Sequence, residues 1–305
     1  MPSQRDVKDR ISSVKNIQKI TRAMEMVAGA RLRRAEQRIA ALRPYADALR
    51  RMTRQAAQAA GAEAMRLPLL SEHDSTQNVG VLLVTGDRGL AGGFNSQIIR
   101  AGVRISAEYA EDGLQTQWYA TGRRGVSSLN FRGHELSGSY TGFADKPAYA
   151  DARSIADDLI TGYVDGKLDR VEIVYNAYIS PLSQHVTRET LLPLSRATVA
   201  TEEPEQENRQ EGSGEPGGPR ALVDYEPDPE EILKRLVPDY VEISIYRALV
   251  ESTAGFFGAQ MTAMRSASDN AGEIITDLTL QMNRARQAEI TQEIMEVVAG
   301  AEGVT

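Results

Sequence analysis

The chain has 305 residues, 41% hydrophobic and 25% charged, enough to bury the core of one large domain or two. It contains no cysteine, which excludes disulfides, thiolate catalysis, Cys-type zinc sites and thiol redox switches. No apolar run approaches the roughly 20 residues that span a bilayer, and the opening "MPSQRDVKDR" is charged where a signal peptide needs an apolar stretch, so the chain is expected to stay in the cytosol. The formal net charge of −7 is uneven: residues 1–54 hold 14 Lys and Arg against 5 Asp and Glu, a balance of +9 that leaves −16 for the remainder. Such asymmetry points to an acidic partner for the first arm, whether nucleic acid, membrane surface or protein, or to a solvated helix face rich in arginine.

From Gln4 to Arg43 there is no proline and one glycine, Gly29. Apolar residues at Ile11, Val14, Ile17, Ile20, Met24, Val27, Ile39 and Leu42 recur mostly in steps of three and four, the mark of an amphipathic helix. Pro44 is expected to kink it, and good helix formers continue to Ala60.

The apolar run "VGVLLVT", Val79 to Thr85, reads as a buried strand and leads into "TGDRGLAGGFNS", Thr85 to Ser96. A glycine-rich turn between a strand and a helix is where many α/β proteins cradle a phosphate. A P-loop needs G-x-x-x-x-G-K-[ST] and a dinucleotide site needs G-x-G-x-x-G; the glycines here fall at 86, 89, 92 and 93, with no Lys-Ser or Lys-Thr after them. The spacing fits a tight strand-to-helix turn with close backbone approach, with Asn95 or Ser96 capping the helix.

"TQWYAT" (Thr116 to Thr121) and "VEIVYNAYI" (Val171 to Ile179) read as further strands, alternating with helical stretches near Ser96 to Glu108 and Tyr149 to Gly162. The alternation predicts a small Rossmann-like α/β domain with a mostly parallel sheet. After the "SPLS" turn, "QHVTRETLL" predicts one antiparallel strand at an edge. His73, His134 and His185 lie too far apart to resemble a ligand set. Asp157 with Asp158, and Asp228 with Glu230 and Glu231, are too close in sequence to face one another on a helix, and "PDPEE" reads as a helix start. No catalytic, cofactor or metal site is expected. Residues 201–221 hold six Glu, four Gly and three Pro with no large apolar side chain, the composition of a mobile acidic loop.

Asp239 to Val298 again lacks proline. Its apolar positions Leu249, Met261, Met264, Ala267, Ala271, Ile274, Leu278, Met282, Ala285, Ile294 and Val298 fall largely at helical spacing. Forty residues of helix measure about 60 Å and the second run roughly 90 Å, whereas a compact globule of this size is only about 50 Å across. The two arms are therefore expected to zip together as an antiparallel two-helix coiled coil. The methionines at helical spacing read as packing within it. The predicted class is α/β plus long helices: residues 1–62 form the first coiled-coil helix, 75–228 an inserted α/β domain with the 201–221 loop, and 229–305 the second helix.

Three stretches resemble the γ subunit of F-type ATP synthase, bacterial type: "KITRAMEMVAGARLRRAEQRIAALRPYA", "TGDRGLAGGFN" and "ASDNAGEIITDLTLQMNRARQAEITQEIMEVVAGA". The resemblance runs from about Val7 to Ala301, with only the acidic loop plainly outside it. It implies a non-catalytic central-stalk rotor that turns inside a ring of α and β subunits, coupling proton flow through a c ring to ATP synthesis or hydrolysis. Its implied partners are the α, β and ε subunits and the c-subunit ring, with no nucleic acid, and it implies a peripheral place on the cytoplasmic face of the cell membrane through the complex alone.

By position, the resemblance implies contact with β subunits at Met24, Ala91, Gln260, Arg286, Gln287 and Thr291, and with the c ring and foot at Arg31, Arg33, Arg34, Tyr225 and Glu226. Arginine's forked charge-assisted bonds suit a catch on carboxylates, and the sparsely charged "IMEVVAGAEGV" suits an apolar bearing. Gln260 stands where many relatives carry arginine and Ala91 where many carry cysteine, and the paired cysteines of redox-sensitive chloroplast shafts are absent. Two rival readings remain from the residues alone: a nucleotide-binding α/β enzyme with helical arms, and a nucleic-acid binder using its basic first arm.

Overall fold

The computed structural model describes residues 4–61, 67–73, 75–181, 183–194 and 228–302. It divides into two compact units, one of Arg34–Gly89 with Gly93–Phe256 and one of Met1–Arg33, Leu90–Gly92 and Phe257–Thr305. Two long helices contribute to both: α1 (Gln4–Ala60) and α5 (Pro229–Glu302). Each carries an internal proline, Pro44 and Pro238, and remains helical through it.

The first unit is a five-stranded sheet with helices on both faces. In chain order it comprises β1 (Asn78–Val84), α2 (Phe94–Glu111), β2 (Gln115–Thr121), α3 (Arg123–Phe131), β3 (Leu136–Tyr140), α4 (Tyr149–Val164), β4 (Arg170–Ser180) and β5 (Ser183–Leu192). The strands lie in the order β3-β2-β1-β4-β5. β1 pairs in parallel with β2 and β4, with Leu82 beside both Tyr119 and Ile173, and β2 pairs in parallel with β3. Only β5 runs antiparallel, against β4, as "QHVTRETLL" predicted. α3 and the five-residue β3 escaped the sequence reading, because "LSGSY" offers neither an apolar run nor β-branched residues.

A central parallel strand needs apolar cover on both faces, which explains the unbroken burial of Val79–Val84. One face packs Leu82, Val84, Ile173 and Tyr175 beneath Ile155, Leu159 and Tyr163 of α4 and Leu233, Val237, Val241 and Ile245 of α5. On the other, α2 buries Ile98, Ile99 and Ile105. It comes so near the sheet at Gly102 that an added Cβ would sit 2.6 Å from Leu83 Cδ2.

Charged groups knit the sheet to its helices. Arg247 of α5 meets Glu189 of β5 at 2.7 Å, and Glu189 accepts from the Tyr175 hydroxyl at 2.6 Å. Burial pushes the Tyr175 hydroxyl above its ordinary range, with Glu189 and Glu251 adding to the shift against Arg247. Arg188 forks onto Glu172 at 2.6 and 3.1 Å.

The second unit is a helix pair. Gln18 of α1 bonds the Ser268 carbonyl of α5, Glu25 meets Arg265 at 2.8 Å, and Arg31 lies over the Phe257 ring at 5.5 Å. Rising numbers on one helix meet falling numbers on the other, so the pair is antiparallel.

Candidate functional site

The helix pair shows which side chains it uses for itself and which it leaves outward. On α1, Val7, Ile11, Val14, Gln18, Thr21, Glu25, Ala28 and Leu32 are buried or half-buried, alternating steps of four and three that make a heptad seam. On α5 the matching set is Phe257, Met261, Met264, Ser268, Ala271, Ile275, Leu278, Met282 and Ala285.

The seam corrects the face read from apolar spacing. Ile17, Ile20 and Val27 were grouped with Ile11 and Val14, yet they are 53%, 58% and 52% exposed. Polar Gln18, Thr21 and Glu25 occupy the inward positions instead. α1 thus carries two parallel stripes, one spent on α5 and one, with half-buried Met24 beside it, turned outward.

Extending the helix register puts Gln4 opposite Arg284, so α5 runs on past the first described turn of α1. From Arg286 to Val297 every residue is exposed. Arg286, Gln287 and Thr291 share this stretch, the Thr291 hydroxyl donating to the Gln287 carbonyl at 2.8 Å. Ile290, Ile294 and Val297 fall at helical spacing beside them, exposed by 48%, 58% and 73%. Among the described residues nothing covers this stripe, and an exposed apolar stripe marks a surface made for a partner.

The other positions singled out by resemblance are less uniform. Gln260 is half-buried, Arg33 and Arg34 are exposed, and Arg31 is half-buried over Phe257. Ala91 is 2% exposed, whereas its neighbour Leu90 is 63% exposed. Leu90 has a φ of 64°, a left-handed conformation that costs an L-residue about 1–2 kcal/mol. Sequence reasoning had no signal for this residue, since left-handed leucine is not a pattern. Tyr225, Glu226 and the 201–221 loop lie outside the described residues.

The glycine-rich turn is braced by its own side chains and by Phe256. Asn95 does not cap α2, whose N-cap Gly93 has no side-chain bond. Its Oδ1 instead accepts from Gly86 N–H at 2.8 Å, and its Nδ2 donates to the Arg88 carbonyl at 3.2 Å. The Ser96 hydroxyl turns back to the Gly93 carbonyl. Phe256 of α5 packs within 3 Å of where a Gly86 side chain would begin, and only a cavity of about 10 Å³ remains among Thr85, Thr121, Ser252 and Phe256, room for no more than about one water.

Among the described residues no cluster of three or more His, Asp or Glu is placed to hold a metal ion. His73 stacks on Tyr163 and bonds Asp169 at 2.9 Å, and Asp158 accepts from the Tyr140 hydroxyl. No described helix is long and apolar enough to cross a membrane.

Known proteins match this chain over its whole length. The family model described as ATP synthase matches residues 3–304. The ATP synthase gamma chain of Rubrobacter xylanophilus is 41% identical over 304 residues, covering 100% of this chain and 99% of that one. That of Streptomyces coelicolor is 42% identical over 298 residues, covering 96% and 93%. Among solved structures, a chain of the Euglena gracilis mitochondrial ATP synthase assembly of OSCP, F1 and c-ring superposes with a TM-score of 0.65 at 14% identity, covering 99% of this chain and 94% of its own. A chain of the central stalk and c-ring of the Tetrahymena thermophila mitochondrial enzyme gives 0.59 at 23% identity, covering 82% and 99%.

Proposed function

This chain belongs to the ATP synthase gamma chain family, and on that premise we propose that it is the central shaft of a proton-driven F-type ATP synthase. It stands inside a ring of α and β subunits and carries rotation between that head and the c ring. It joins the cytoplasmic face of the cell membrane as a peripheral member of the complex, with the ε subunit beside its α/β unit.

The observation that carries the reading is the second unit. An antiparallel pair with a heptad seam, an outward apolar stripe and a stretch of α5 exposed from Arg286 to Val297 is built to be surrounded. In this reading Met24, Ala91, Gln260, Arg286, Gln287 and Thr291 meet β subunits, with Leu90 outermost on its turn. Arg31, Arg33, Arg34, Tyr225 and Glu226 serve the foot. Arg286 supplies a fork for a partner carboxylate, while the isoleucines beside it slide without fixed bonds.

The nucleotide-enzyme alternative is disfavoured by the packing of Phe256 and Asn95 around the glycine-rich turn. The deciding experiment assembles α and β subunits with and without this chain. ATP hydrolysis with three-site cooperativity only when the chain is present supports the shaft; equal cooperative hydrolysis in its absence overturns it.

A further inference from the structure

Asp87 lies in the glycine-rich turn after β1, and its carboxylate accepts from three backbone N–H groups that belong to other turns. Arg123 N–H reaches Oδ1 at 3.0 Å, Gly142 N–H lies 3.1 Å from both oxygens, and Ala144 N–H reaches Oδ2 at 3.1 Å. Arg123 opens α3, where the first amides have no partner within the helix. Gly142 and Ala144 sit between β3 and α4. One side chain therefore gathers the turns that follow β1, β2 and β3, at the carboxyl ends of three parallel strands. In open α/β sheets that is the end where ligands, commonly anionic, are held by backbone amides.

We propose that Asp87 is a positioning residue that acts as a built-in anion, filling with its own carboxylate the place among these three turns that an oxyanion such as phosphate would take. The assignment stands apart from the rotor reading, since every group involved lies within the α/β unit. The chemistry matches the donor set: two equivalent oxygens serve three N–H groups, with one donor shared between them. A neutral amide cannot do the same, because it has one acceptor oxygen and would turn an NH₂ toward a donor. The surrounding bonds hold the turn ready, with Arg124 N–H on the Gly86 carbonyl at 3.2 Å and Arg88 facing Asp145 at 3.7 Å. It also accounts for a glycine-rich strand-to-helix turn that carries no phosphate-binding motif: the negative charge is already present, in the side chain of Asp87.

The test is backbone amide hydrogen exchange on the full chain and on Asp87→Ala and Asp87→Asn. In Asp87→Ala the amides of Arg123, Gly142 and Ala144 are expected to lose protection while Leu82 and Val174 in the sheet keep theirs. Inorganic phosphate should restore protection and raise the melting temperature of Asp87→Ala, with no effect on the unsubstituted chain. If Asp87→Ala does not fold, Asp87→Asn carries the test: either Arg123 or Ala144, whichever faces the amide nitrogen, loses protection while the other keeps it. Protection unchanged in the variants, or lost in Asp87→Ala without recovery in phosphate, overturns the proposal.

Discussion

Gln18 of α1 donates from Nε2 to the main-chain carbonyl of Ser268 on α5, 3.2 Å away, at a seam position where an apolar side chain would pack more easily. The amide fits there because Gly272 has no side chain, an added Cβ lying 3.2 Å from Gln18 Nε2; a slip of one heptad would put Arg265 or Thr279 in that place and crowd the amide off the carbonyl. Polar residues in a coiled-coil seam fix register in this way, at some cost in stability. In the rotor reading, a shaft that transmits torque needs one register more than it needs the last kilocalorie.

Replacing Gln18 with leucine is therefore expected to leave thermal stability unchanged or raised while loosening register. Because the chain has no cysteine, a pair introduced at Gly29 and Met261, where a Gly29 side chain would begin 3.4 Å from Met261 Sδ, reports register through a short thiol cross-linker. The in-register product should fall in the Gln18→Leu background. An unchanged yield would show that Gln18 does not set the register.

Acid should attack a different point. Asp169 accepts from Asn78 N–H and Gln77 N–H at 2.8 Å each and from His73 at 2.9 Å. Burial alone would raise its carboxyl, but the Asn78, His73 and Gln77 bonds outweigh it and hold the group below its ordinary 3.8. A carboxyl lowered by folding stabilises fully above its unfolded value, and that contribution is lost as pH falls through the folded value. Asp169→Asn should lower the melting temperature at neutral pH, and the gap to the parent chain should close below about pH 4. Thermal melts across that range read it directly.

Much of the architecture was legible because it is written in period. The run Val79–Val84 is apolar throughout, as a strand covered on both faces must be, and the stretches 4–43 and 239–298 of the two long helices carry no proline. The seam was misread for a physical reason: Ile17, Ile20 and Val27 keep the same spacing as the inward residues, and burial, which spacing alone cannot supply, distinguishes them. The bonding of Asn95 was equally hidden. A helix-capping residue and a turn-stapling residue share one sequence signature, and only the position of the Gly86 N–H separates them.

Gly122 offers a sharper stability test. It has a φ of 81°, and an added Cβ would lie 2.2 Å from the Thr85 carbonyl oxygen, so Gly122→Ala should cost more than about 3 kcal/mol. Gly113 has a similar φ of 78° with open space around it, and Gly113→Ala should cost only about 1 kcal/mol. Denaturant midpoints of the two variants measure the difference, which sums the clash and the added strain of ψ 139° at positive φ in Gly122.

Within the rotor reading, Arg286→Glu with Gln287→Glu should spare folding, since both side chains are exposed, and impair coupling. Proton-driven ATP synthesis in reconstituted vesicles is expected to fall more than about tenfold, the cost of losing one charge-assisted contact and creating a repulsive one. Synthesis at the parent rate would remove these two residues from the catch.

Rotation itself is the central claim, and it can be watched. Phe131 is 93% exposed, so Phe131→Cys gives the assembled complex's shaft a single attachment point for a bead while the α and β subunits are fixed to glass. Addition of ATP is predicted to turn the bead in one direction in steps of a third of a turn. A bead that stays still while the same complexes hydrolyse ATP would contradict the account.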